Sequence, residues 1–475
     1  MPHPIYRAQP RLESIPQRFN LLAYYIFRSS LPILRRLRTR PWLPSGISRM
    51  ETKNVEILVE LYQKFQAGKI RFLIAFRHPE VDDPLCMMYL LSRAVPKVAR
   101  QRGISLQYPT HSYFLYDRGM TLWAGNWLGW LMSWLGGLAI HRGKLDRASL
   151  RTTRDLFANG KMPIAVAPEG ATNGHSEIVS PLEPGVAQMS FWCVEDLVRA
   201  NRTEEVLIVP VGIQYSYINP GWAKLDWLLS QLEADSGLPV QRIDRYDMEF
   251  IEKVFYERLF SLGENILSQM EQFYDRFNHQ HPRVPAATLP QEPSTHRNQV
   301  LATRLEALLD RSLKAAEQYF SLEPQGTVIE RCRRIESVGW NDIYRTDLPD
   351  LDSLSPLQQG LADWIAEEAS MRLLHMRLVE SFVAVTATYV QEKPSFSRFA
   401  ETSLILFDII ARIKGDKNPR RPRLGWRQAK MSVGEPISIT ERSSAYQTNR
   451  QAAKLAVNNL TQDLQMALEK IISSP

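Results

Sequence analysis

Four short apolar runs, at 72–76, 136–140, 163–168 and 206–213, constrain this 475-residue chain most. Each is of strand length, and stretches with helical spacing, such as 144–159 and 186–201, lie between them. Strands alternating with helices at this interval predict an α/β core, a mostly parallel sheet flanked by helices. Pro210 interrupts the last run, since proline has no N–H to give to a ladder. In sheets of this kind ligands gather beyond the carboxyl ends of the strands. His78, Arg142 and Glu169 all fall at such ends.

His78 follows the first run, and Asp83-Pro84 follows His78. An aspartate before a proline reads as a helix N-cap with proline at the first helical position. The histidine then sits in a strand-to-helix turn, with a carboxylate five residues on folding back towards its ring. A carboxylate on one imidazole nitrogen fixes the tautomer and leaves the other nitrogen to take a proton. That chemistry activates a hydroxyl for attack on an acyl carbon. Taken alone, the spacing suits a loop histidine beside a helix cap equally well.

Three further blocks stand in order behind it: Gly136-Gly137-Leu-Ala-Ile-His-Arg142, Pro168-Glu169-Gly170 and Val209-Pro210-Val211. With the His78 block they resemble the glycerolipid acyltransferases of the lysophosphatidic acid acyltransferase type. A later segment, 430–437, resembles that family's last core strand, so the likeness covers about 70–215 and 425–470. The resemblance implies that His78 takes the acceptor's proton while Asp83 orients the ring, with the N-terminus of the following helix helping to hold the oxyanion. It also implies that Glu169, Gly170 and Pro210 shape the acceptor site and that Arg142 is the cation for a phosphate. The reaction implied moves a fatty acyl group from a thioester, acyl-CoA or acyl-carrier protein, to a glycerolipid hydroxyl. No metal and no further cofactor is expected.

The chain departs from the family pattern at two places. Ala171-Thr172 stands where Thr-Arg usually follows the Pro-Glu-Gly block, and Pro184 stands where a lysine often precedes the glycine. Two cations are thus missing where a phosphate-bearing acceptor favours them. A lysophosphatidic acid-like acceptor is expected first. A neutral acceptor such as diacylglycerol, or a non-catalytic membrane-binding scaffold of the same fold, remains open beside it.

Charge is placed unevenly. Residues 1–50 hold nine arginines, no lysine and one glutamate, while the whole chain carries +7, so the remainder is close to neutral. A basic surface serves nucleic acid or an anionic membrane. Its neighbours favour the membrane, and no nucleic-acid partner is expected. Residues 19–37 are apolar and aromatic, with arginines crowding their end. Arg28 and Pro32 interrupt them, leaving too little for the roughly 20 residues that cross a bilayer. They suit an amphipathic helix lying on a membrane surface or packed on the core. Trp123, Trp127, Trp130 and Trp134 share a second helical face, a stripe that suits a core or a membrane interface. These features predict a peripheral protein on the cytoplasmic face of a membrane, with membrane lipids and acyl-carrier protein as candidate partners. Residues 1–20 show no apolar core of a secretory signal. Three widely spaced cysteines, Cys86, Cys193 and Cys332, suggest a reducing compartment, without a disulfide framework or a zinc site.

Three regions are therefore expected: a basic segment at 1–50, a core at 51–215 with 424–475, and a mostly helical insertion at 216–423. The insertion has helical patterns at 242–277, 298–321, 326–345, 355–391 and 396–414, and a proline-rich linker near 279–297. His375, on one of these helices, is expected to be packed or surface-exposed and without catalytic partners.

Overall fold

The computed structural model describes the chain except at residues 1–6, 11–14, 39–45, 122–124, 141–146, 241–242, 244–247, 278–293, 346, 349, 383–387, 417–418 and 474–475. Two compact units emerge. An α/β unit comprises Ser14–His141, Leu145–Asn219 and Gly425–Pro475, and a helical unit comprises Pro220–Leu424 with Met1–Glu13 and Arg142–Lys144.

The α/β unit carries an eight-stranded mixed sheet: β1 (Ile47–Lys53), β2 (Ile70–Phe76), β3 (Tyr113–Asp117), β4 (Gly137–Ile140), β5 (Ile164–Val166), β6 (Glu205–Tyr217), β7 (Arg427–Val433) and β8 (Ile437–Ser438). The order is β1-β7-β6-β2-β5-β3-β4, with β8 also on β6. All pairings are parallel except those of β7 and β8 with β6. Every residue of β2 is buried, because helices cover both faces of the sheet. Alternation sorts its side chains: Phe72, Ile74 and Phe76 enter one apolar core, Leu73 and Ala75 the other. The first core is closed by helices α2 (Val55–Gln66), α3 (Asp83–Tyr89) and α4 (Val95–Gln101). The second is closed by α6 (Arg147–Asn159), α7 (Gly185–Arg199) and the C-terminal helix Arg450–Ser473.

Two expectations need correction here. Pro210 does not interrupt its strand, since β6 runs unbroken through thirteen residues. Its carbonyl accepts from the Gly434 N–H at 2.9 Å, so its nitrogen looks to the same side, where β7 has ended and β8 has yet to begin. No ladder partner waits there for a donor. The sheet also begins earlier than expected. Residues 47–50, assigned to the basic segment, open edge strand β1, whose polar sequence has no apolar run to betray it.

Near the N-terminus, α1 (Leu21–Leu34) is capped by Asn20, whose side chain accepts from the Ala23 N–H at 2.9 Å. Pro32 does not break this helix. Having no N–H, it leaves the carbonyl of Arg28 open, and Arg93 donates to it at 2.8 Å. The same thing happens in reverse between α3 and α4, where a π turn spans Leu90–Ala94. Pro96 has no N–H for the carbonyl of Ser92, and Arg28 Nε fills that place at 3.1 Å. Two prolines and two arginines thus lock α1 to the helix leaving the first parallel strand. Tyr24 and Leu31 pack on Leu85 and Met88 beneath the lock.

The helical unit contains α8 (Trp222–Asp235), α9 (Met248–Phe277), α10 (Ser294–Tyr319), α11 (Val328–Ile343), α12 (Pro356–Phe382), α13 (Tyr389–Glu392) and α14 (Phe396–Ile413). Most of the expected linker lies outside the described residues, but 294–297 belong to α10. A capping box at Thr327 and Glu330 starts α11. Buried ion pairs tie the helices together. Arg258 of α9 meets Asp226 and, at 2.7 Å, Glu233 of α8, and Arg331 of α11 meets Glu317 and Asp310 of α10, both at 2.7 Å.

Candidate active site

The site forms where β2 ends. Arg77 continues the ladder, its N–H donating to the Val211 carbonyl at 2.9 Å, and His78 is the first residue to leave it. The chain then turns through Glu80, whose N–H donates to Asp83 Oδ2 at 2.9 Å. That bond folds the carboxylate back, and the same oxygen meets His78 Nδ1 at 2.9 Å. Asp83 is the first residue of α3, with Asp82 in the cap position and Pro84 in the first turn, one step later than the sequence suggested.

The pair is supported from below and left open above. Asp83 is fully buried, and its other oxygen accepts from the Tyr215 hydroxyl at 2.5 Å. Tyr215 OH also lies 3.3 Å from Cys86 Sγ, and Arg427 stands over its ring at 4.8 Å. The imidazole of His78, by contrast, keeps 25 % of its side-chain surface exposed. With Nδ1 committed to Asp83, Nε2 is the nitrogen left to exchange a proton with a bound molecule.

Burial pushes the pKa of Asp83 up, opposed by His78, Tyr215 and the Glu80 N–H. Burial likewise drives the Tyr215 hydroxyl and the Cys86 thiol well above their ordinary values, with Asp83 adding to both. Tyr215 and Cys86 are therefore held in their neutral, protonated forms. Burial works against the charge of Arg427, but Asp82 and Glu80 more than offset it and raise its pKa. The guanidinium is bonded to Asp82.

Glu169 and Gly170 reach the site from the end of β5. The side chain of Glu169 is wholly buried and both oxygens are taken. Oε1 accepts from the His78 N–H at 2.8 Å and from Arg77 Nε at 3.3 Å. Oε2 accepts from the Ser180 N–H at 2.8 Å and from Asn173 at 3.2 Å. Its part is to hold the backbone of the histidine. Gly170 has φ +74, a left-handed turn that a side chain would strain, and this turn swings the chain away after the glutamate. Pro210 lies buried inside β6, with its Cγ 2.9 Å from where a Cβ on Gly434 would stand. Arg142 lies outside the described residues.

The N-terminus of α3 also differs from expectation. The N–H of Asp83 donates to Glu80 O, those of Leu85 and Cys86 donate to Asp82 O, and Pro84 has none. Its first turn therefore has no open donor for an oxyanion.

Two residues of the site escaped the sequence reading. Arg77 is completely buried and clamps the 175–178 loop through the carbonyls of Ser176 at 2.8 Å, His175 at 3.1 Å and Ile178. A charged residue closing an otherwise apolar strand was the available signal. Tyr215 gave none, being one aromatic among the apolar residues of β6. Among the described residues, no three His, Cys, Asp or Glu side chains converge as a metal site. The three cysteines are buried free thiols.

Compared with family models, curated proteins and solved structures, the chain matched none.

Proposed function

We propose that the chain is an acyltransferase that moves a fatty acyl group from a thioester to a glycerolipid hydroxyl. The observation that carries this reading is the half-open imidazole of His78 backed at 2.9 Å by a buried carboxylate. His78 Nε2 takes the proton of the acceptor hydroxyl as its oxygen attacks the thioester carbonyl. A C–O bond forms, the C–S bond breaks, and the leaving thiolate recovers the proton from the imidazolium. Asp83 stabilises that imidazolium and fixes its ring, and Tyr215 fixes Asp83. The resemblance of the four sequence blocks supports the same chemistry.

The acceptor is open between two kinds. Arg77, the cation nearest in sequence to His78, is spent on Glu169 and three carbonyls, and exposed Thr172 brings no charge. These observations favour a neutral lipid hydroxyl as a second reading beside the phosphorylated one. Incubation with a labelled acyl thioester and a panel of phosphorylated and neutral acceptors tests both. Labelled product with neither kind of acceptor, from acyl-CoA or acyl-carrier protein, would sink the assignment.

The same reading places the protein at a membrane surface. Leu22 and Ile26 of α1 are 69 % and 62 % exposed, and Trp127, Trp130 and Trp134 of α5 (Asn126–Trp134) are each about half exposed. The two helices are neighbours, since the Asn20 N–H donates to the Trp134 carbonyl at 2.8 Å. Apolar and aromatic groups turned outward together suit the headgroup region of a bilayer. Arg28 and Arg35 do not add to that surface charge, for they bond inward to Ser92 and Ser48. Among the described residues no helix is long and apolar enough to cross a membrane. Replacing Leu22 and Ile26 by glutamate should abolish sedimentation with lipid vesicles, and undiminished sedimentation would refute surface docking.

A further inference from the structure

The helical unit holds an apolar pocket with about 810 Å³ of empty space, its open side included. One wall is the face of α9 that carries Phe260, Gly263, Leu267 and Met270, and the facing wall is Leu301, Leu305 and Leu308 of α10. Lining residues run along α9 from Tyr256 to Met270, about 21 Å at the rise of an α-helix. The pocket is therefore a long trough rather than a round cavity.

Gly263 shows what the trough is shaped around. A glycine in mid-helix weakens the helix and is usually explained by a close neighbour. Gly339 has such a neighbour, for a Cβ there would stand 2.7 Å from Leu373. At Gly263 a Cβ would meet nothing within 4 Å. The missing side chain keeps the middle of the trough open.

The walls select the occupant's chemistry. Tyr256 and Thr402 are the hydroxyl-bearing lining residues, and both hydroxyls are engaged, with Asn298 at 3.0 Å and with the Arg398 carbonyl at 3.0 Å. A peptide would bring backbone N–H and C=O groups that these walls cannot satisfy. A hydrocarbon chain brings none. One leaflet of a bilayer is half of an about 30 Å hydrocarbon core, so a lipid chain reaches about 15 Å, which the trough can contain. At the Tyr256 end Arg297 stands 4.3 Å over the ring of Phe260, sharing its charge with Glu257 at 3.4 Å. A cation at one end and hydrocarbon along the rest fit a single-chain amphiphile with an anionic head.

We infer that the helical unit binds the alkyl chain of a long-chain fatty acid between α9 and α10, with the carboxylate at Arg297. The inference stands on this unit alone and does not rest on the acyl-transfer reading. The test is a titration of the full chain with a fluorescent polyene fatty acid, displaced by oleate. Gly263→Phe should remove one bound chain per protein, while Gly263→Ala should keep it and raise the melting temperature. Arg297→Gln should weaken oleate several-fold and leave the fatty alcohol of equal length unchanged. Saturable binding that survives Gly263→Phe, or none by the wild type, would overturn the assignment, as would equal effects of Arg297→Gln on acid and alcohol. His78→Ala should leave the lost chain in place, which separates this site from the candidate active site.

Discussion

Each unit contains a histidine with a polar partner on Nδ1, and the two could hardly be more different in use. His78 meets Asp83 at 2.9 Å and is a quarter exposed, whereas His375 of α12 meets the Tyr274 hydroxyl at 2.6 Å and is buried. Burial lowers the pKa of His375 to about 4, and it stays neutral, a satisfied core group. Buried ion pairs divide in the same way. Those of the helical unit, around Arg258 and Arg331, join helix to helix and converge on no open side chain. Those of the α/β unit, Arg77 with Glu169 and Arg427 with Asp82, surround the loop that carries His78. Buried charge by itself marks structure. Buried charge arranged behind a half-open imidazole marks a place where a proton can move.

The sharpest way to break this comparison is to remove the two histidines in turn. A positioned base contributes on the order of 100- to 10,000-fold, so His78→Ala should cost that much acyl-transfer turnover with little change in melting temperature. His375→Ala should do the reverse, lowering the melting temperature with turnover per folded molecule intact. Comparable turnover losses in both would erase the distinction.

Next come the ion pairs. Leaving buried carboxylates without their cation costs about 3–5 kcal/mol, so Arg77→Met and Arg331→Met should both unfold at much lower denaturant. Under stabilising conditions Arg77→Met should still show depressed turnover, because Glu169 loses the partner with which it holds the His78 N–H. Arg331→Met should not. Equal specific activities in the two variants would show that the Glu169 cluster is only a fold element.

Acid sharpens the likeness rather than the difference, since each unit buries a neutral histidine. Burial lowers His111 of the α/β unit, like His375, to about 4 from an ordinary 6.5. The unfolded state therefore binds more protons than the folded state between those values, and stability falls as pH drops from 6.5 towards 4. The loss approaches about 3 kcal/mol for each group. Calorimetric scans across that window should show destabilisation of both units. Replacing His111 or His375 by a neutral residue should flatten the pH dependence of its own unit.

The smallest expected effect belongs to Tyr215→Phe. The bond from its hydroxyl to Asp83 is a hydrogen bond to a charged group, worth about 1.5–3 kcal/mol. Part of it should appear in the transition state, where Asp83 faces an imidazolium, so turnover should drop roughly tenfold, equivalent to about 1.4 kcal/mol. A drop as large as that of His78→Ala would mean that Tyr215 itself contacts the substrate.

What could be read from the sequence follows from the range over which each residue acts. The strands at β2, β5 and β6 were legible because full burial writes an unbroken apolar run. The His78–Asp83 pair was legible because five residues of turn bring it together. β1 was not, since a polar edge strand has no such run. Tyr215 and Glu169 act across 132 and 91 residues of chain, on Asp83 and on the His78 N–H, and only the register of β6 and β5 beside β2 brings them there. The contacts of Glu169 with Arg77 and Ser180 were hidden for the same reason.

The crossed lock at α1 carries an evolutionary consequence. Pro32 vacates the carbonyl that Arg93 occupies, and Pro96 vacates the one that Arg28 occupies. Replace either proline alone by alanine and a new backbone donor competes with an arginine already seated; replace the arginine alone and a buried carbonyl goes unanswered. Each proline is thus an asset only in the company of its arginine. Such positions should drift as couples, and a chain that loses one member gains by losing the other as well. The energies of single and double replacements should accordingly fail to add.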